Sequence, residues 1–160
     1  MRAHFSAAAK ALFALVTLML FSLAPAHAAA NDGLVRVKSA YGMEETIDRI
    51  KKDVAAKKIM LFDVIDQAKL AKGAGIDIQP STLILFGNPP LGTLFLQANP
   101  ESGIDWPVRV LVHQDKQGQV WAVYTDFSWI AKRYGIKSRA KEFKMASEVA
   151  ASIASSVKAQ

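Results

Sequence analysis

Asp66, Asn88, Asp105 and Asp126 each stand where an apolar run ends or a new element begins. A carboxylate there can move a proton when burial or a neighbouring charge tunes it, and a nearby amide can orient a substrate. Asp66 and Gln67 close IMLFDVID, Asn88 follows LILFG, and Asp105 precedes Trp106-Pro107. Tyr124 and Asp126 end QVWAVYTD, and Thr93 adds a hydroxyl shortly after Asn88. The candidate ligand-binding residues are Asp66, Gln67, Asn88, Thr93, Asp105, Tyr124 and Asp126, with Asn88, Asp105, Tyr124 and Asp126 expected to line one shared pocket. An enzymatic reading makes Asp66 and Asp126 acid and base, with Asn88 as orienter. The commoner use of Asp66 and Asp126 is to cap the helix that follows. Asp63 and Asp66 face opposite sides of an extended strand, so they do not form a natural acid/base pair.

Other chemistries are excluded or disfavoured. The chain has no Cys and only three His, two of which, His4 and His27, fall in a leader-like segment. A Cys nucleophile, a Cys-rich zinc site and a multi-His metal site are excluded. There is no D-x-[DN]-x-[DN]-G calcium pattern, and neither a metal nor a cofactor is expected. His113 lacks the G-x-S-x-G elbow of a serine triad and reads as a surface residue. The stretch GNPPLGT resembles a phosphate-binding helix start, but Pro89 and Pro90 remove two N–H donors and the phosphate-loop Lys is missing. A small neutral or carboxylate ligand, held by Asn88 and Thr93, fits better than phosphate.

The first residues read as a secretory signal peptide. Arg2 and Lys10 precede the apolar ALFALVTLMLFSLA, and small residues follow in APAHAAA. The expected cut falls after Ala28, with Ala30 the second choice; a retained anchor is the alternative. Losing Arg2 and Lys10 takes the formal charge from +6 to +4. The mature protein is thus expected in the periplasm or outside the cell. The basic residues Lys132, Arg133, Lys137, Arg139, Lys141 and Lys144 read as a solvated face, with an anionic membrane surface as the alternative. Nucleic acid is not an expected partner in that compartment.

Periodicity places the elements that must position these side chains. GLVRVKS alternates as a strand, and Met43, Ile47, Ile50 and Val54 form one helical face. IMLFDVID reads as a buried central strand, followed by a short helix in QAKLAKGAG and a buried strand in STLILF. After Phe86, the residues Leu91, Leu94, Phe95 and Ala98 match a helical face, with Asn88 as N-cap, Pro89 as first residue and Asn99-Pro100 as stop. PVRVLVHQ and QVWAVYTD flank DKQG as a hairpin. A short helix ends at Gly135, and residues 138–159 form a long amphipathic helix with a small-residue face. This order predicts a single α+β domain. Its sheet is partly antiparallel with about four to five strands, with helices on one face and a C-terminal helix added.

The set Phe-Gly-Asn-Pro, Gly-Thr, Ile-Asp-x-Pro and Tyr-x-Asp, together with IMLFDVID, resembles the domain-of-unknown-function family numbered 302, over roughly Leu34 to Ile136. The expected division is therefore a leader at 1–28, a domain at 33–136 and a terminal helix at 137–160. The resemblance implies a TATA-binding-protein-like topology and often a homodimer, with no established activity. Departures are Gln67 where members often have His, Pro90 where they often have Lys, and His113-Gln114-Asp115 where many have Trp-Glu-Asp. They put His- or Lys-dependent chemistry at the first two positions in doubt. The expected function is a periplasmic module binding a small molecule or a protein as a homodimer. The alternatives are the carboxylate enzyme and a purely structural dimer.

Overall fold

The computed structural model describes residues 32–159, so the expected leader lies outside the described residues. The chain runs β1 (Leu34–Lys38), α1 (Met43–Ala56), β2 (Met60–Asp66), α2 (Gln67–Gly73) and β3 (Ser81–Gly87). It continues through α3 (Pro89–Ala98), a 3-10 helix (Pro100–Asp105), β4 (Val108–Gln114), β5 (Val120–Thr125), α4 (Phe127–Arg133) and α5 (Ala140–Ser155). The five strands form one sheet in the order β1-β5-β4-β3-β2, and every neighbouring pair is antiparallel. The expected partly antiparallel sheet is therefore antiparallel throughout. This follows from its connections: β2 and β3 are neighbours joined by the short α2, and β4 and β5 are joined by the turn Asp115–Gly118.

Register makes the two faces unlike. Val64, Ile84, Val110, Tyr124 and Val35 form one row across all five strands, and Asp66, Thr82, Val112, Ala122 and Val37 a second on the same face. That face packs against α1 and α5, and its interior positions are buried. The row between them, Ile65, Leu83, Leu111, Val123 and Arg36, faces the other way. Apart from Val123, the open face is half-buried or exposed. On the helical side Phe95 stacks on Phe143 at 4.2 Å between centroids and tilts against Phe127 at 6.1 Å. These rings tie α3, α4 and α5 into one core.

One expectation fails. IMLFDVID is an edge strand, not a buried central one: Met60 is 54% exposed and Phe62 42%. A continuous apolar run ordinarily signals burial on both faces. Here β2 has a neighbour on one side alone, and its register slips between Leu61 and Asp63, leaving Phe62 as a bulge. The 3-10 helix was not anticipated either, because Pro100-Glu-Ser-Gly carries no apolar periodicity.

Candidate functional site

The capping groups settle first. Asn88 Oδ1 accepts from the Leu91 N–H at 3.2 Å, Asp66 Oδ1 from the Lys69 N–H at 2.8 Å, and Asp126 Oδ1 from the Ser128 and Trp129 N–H groups at 2.7 and 3.2 Å. The Ser128 hydroxyl also donates to Asp126. Thr93 turns its hydroxyl back onto the Pro89 carbonyl at 2.8 Å, as helical Thr often does. Gln67 Oε1 accepts from the Ser81 hydroxyl at 2.7 Å.

The set divides by position. Asp66 pairs in register with Thr82, while Asn88 lies beyond the far end of the same strand. At about 3.3 Å per residue the two are roughly 20 Å apart. Asp66 and Gln67 therefore stand at one end of the sheet. Asn88, Asp105 and Asp126 gather at the other, because Asp126 follows the end of β5 and Asp105 precedes the start of β4. No one pocket therefore takes in Asp66 and Gln67 together with Asn88, Asp105 and Asp126. An Asp66–Asp126 acid/base pair would need hydrogen-bond reach to one substrate, and the sheet's length denies it.

Asp105 and Tyr124 are likewise built into structure. The Asp105 side chain is 10% exposed; it accepts from Tyr134 Oη at 2.7 Å and from Arg109 and Arg133 at 3.2 and 3.3 Å. Burial, and then the hydrogen bond to Asp105, push the Tyr134 phenol above its ordinary value. This network ties the 3-10 helix to α4 and to β4. Tyr124 is buried in the core beneath the helices; burial first, and Asp126 second, push its phenol up.

What the sequence reading missed is an apolar cleft at the Asn88 end. It lies between the end of β3, α3 and α5, with Trp106 on its wall. It holds about 40 Å³ of internal space, within a cleft of about 390 Å³ counted to its open mouth. Its described lining includes Phe86, Phe95 and Phe127, with the Asn88 amide and the Trp106 indole N–H as its polar side-chain groups. Small residues make the room: Gly87 and Gly92 on one side, Ala146 and Ala150 on the other. A Cβ on Gly92 would lie 1.8 Å from Trp106 Nε1, and one on Gly87 3.3 Å from it. Both glycines let the indole approach the backbone closely, Gly92 most of all. Outside it, Phe62 meets Trp106 edge-on at 5.7 Å and 74°. The signals were in the sequence, as glycines flanking Asn-Pro-Pro and a small-residue face on the last helix. In the sequence alone they signify a helix start and a packing face, because nothing in periodicity pairs residue 92 with residue 106.

Residues 35–159 match the family described as Domain of unknown function DUF302. The chain belongs to the DUF302 family. The match reaches through α5, which carries part of the cleft. The crystal structure of an uncharacterized conserved DUF302 protein from Bacillus stearothermophilus is similar, with TM-score 0.71 and 16% identity. The alignment covers 79% of this chain and 98% of that one. At that identity the likeness shows the shared DUF302 fold. Over 112 residues the chain is 35% identical to Brucella proteins named Fluoride-specific ion channel FluC 1, from Brucella suis biovar 1 and Brucella abortus biovar 1. Those matches cover 70% of this chain, which spans less than half the length of these curated relatives, 44% and 42%.

Proposed function

We propose that this DUF302 protein is an exported binding module whose cleft beside Trp106 takes a small apolar molecule. The cleft carries the reading. Close-packed interiors rarely leave such space, and here two glycines and two alanines keep it open. An apolar wall with few polar groups is the usual form of a small-molecule site, though a drug-sized ligand needs ~300 Å³ or more. The internal space takes the tip of such a molecule, a methyl or short branched end, with the rest lying across the mouth.

Two observations support binding over catalysis. The carboxylates nearest the cleft, Asp105 and Asp126, are committed to an ion-pair network and to a helix cap. The FluC-named relatives support the word module: the domain is less than half of each, and no described helix here is long and apolar enough to cross a membrane. A halide is a poor match to this cleft, whose lining has no cationic side chain. Export and removal of the leader after Ala28 belong to the same proposal, and intact-mass measurement of protein from the producing cell's periplasm tests them.

The ligand reading is tested by thermal unfolding with indole, benzene and short branched fatty acids, on wild type and Ala150→Val. The proposal expects at least one of them to raise the wild-type midpoint saturably and to leave Ala150→Val unchanged. No shift in wild type with any of them would count against it.

A further inference from the structure

We infer that the molecule in the Trp106 cleft carries one neutral acceptor oxygen, as a ketone, ester or amide does, held between the Asn88 amide and the Trp106 indole N–H. This rests on the ligand reading and narrows it. Asn88 caps α3 with Oδ1, which accepts from the Leu91 N–H at 3.2 Å. That bond fixes which way the amide is turned, so its NH2 group is left as a donor. Nε1 is the indole atom nearest to where a Cβ on Gly92 would stand, at 1.8 Å, and it lies 3.3 Å from one on Gly87. Gly87, Asn88 and Gly92 all line the cleft, so the indole nitrogen sits against the wall that Asn88 belongs to.

Among the described residues neither donor has an acceptor. The Trp121 indole N–H, by contrast, is taken by Asp115 at 2.9 Å. Nor is the Trp106 N–H sealed away: among the described residues, the one fully buried side-chain polar atom without a partner is the Ser102 hydroxyl. Two N–H groups without acceptors, in a site otherwise apolar, select a ligand oxygen. The lining favours a neutral oxygen over a carboxylate. It has no cationic side chain among the described residues, and Pro89 and Pro90 take two N–H donors from the α3 start. A carboxylate drawn in would lose its hydration with no charge to replace it. Asn88 is exposed and Trp106 half-buried, so both donors stand towards the mouth. A methyl or short branched end fills the internal space and leaves the oxygen there beside them.

Compounds of nearly one shape test the inference: methyl isobutyl ketone; isohexane, in which CH2 replaces the carbonyl; and isovalerate, in which a charged oxygen replaces the ketone's methyl. Each is titrated into nitrogen-labelled protein while the indole N–H signals are followed by NMR, with Trp106→Phe identifying the Trp106 signal. The ketone is expected to bind more tightly than isovalerate and to move the Trp106 signal downfield, which isohexane does not. Asn88→Asp keeps the α3 cap and puts a carboxylate where the amide donor stood. It is expected to weaken the ketone on the order of tenfold and isohexane by less than about twofold. Circular dichroism confirms that the variant is folded. Ketone binding that leaves the Trp106 signal unmoved, that is no weaker in Asn88→Asp, or that isovalerate equals, overturns the inference and leaves the ligand reading standing. Binding by none of the compounds overturns both.

Discussion

At the scale of single residues the decisive feature is how closely Trp106 lies on glycine. In α3, replacing Gly92 by Ala gains up to about 1 kcal/mol of helix propensity. The new Cβ would stand 1.8 Å from Trp106 Nε1, so the indole must move. Overpacking of this kind costs about 1–3 kcal/mol, so Gly92→Ala is expected to destabilise on balance and to red-shift the tryptophan emission. Denaturant titration and fluorescence check both. Asp105 offers a second test: Asp105→Ala leaves Tyr134 and two arginines without their acceptor, an expected loss of about 1–3 kcal/mol. Two other carboxylates set the acid response. The Trp121 indole N–H holds the Asp115 carboxyl below its usual range, and Arg36 holds Asp32 down to about 2. A carboxyl lowered on folding stabilises above its unfolded value of 3.8 and loses that as pH falls. Unfolding midpoints should therefore drop between pH 3.8 and about 2, and less steeply in Asp115→Asn.

At the scale of elements, caps account for side chains that look catalytic. Asp66→Ala should cost about 0.5–2 kcal/mol and Asp66→Asn almost nothing, measured by thermal unfolding, because either side chain can receive the Lys69 N–H. A catalytic carboxylate would not tolerate Asn. The α3 start was legible from Asn88, Pro89 and the Leu91/Phe95 face, and the hairpin from Asp115 and Gly118, since both are local chemistry. The place of β2 was not legible. An apolar run reports which side chains avoid water, not whether a neighbouring strand or a second chain covers them, and β2 sits at an edge. Ala150→Val acts at this scale too. It fills the gap between α5 and α3, with stability expected to change by less than about 1.5 kcal/mol.

At the scale of the whole molecule, the described sheet has one face under helices and one without them, and the cleft lies at one end, beside Asn88. The α+β class and most elements followed from pattern. The separation of Asp66 from Asn88 did not, because only strand register shows which ends of β2 and β3 coincide. The cleft escaped for a related reason: Trp106 comes to Gly87 and Gly92 through the chain's path around α3 and the 3-10 helix. The most direct measurement is native mass spectrometry of wild type and Ala150→Val purified side by side from the producing cells. The account predicts that wild type carries a small apolar adduct, released on denaturation, and that Ala150→Val carries none. Wild type without an adduct, or the same adduct on both proteins, would contradict it.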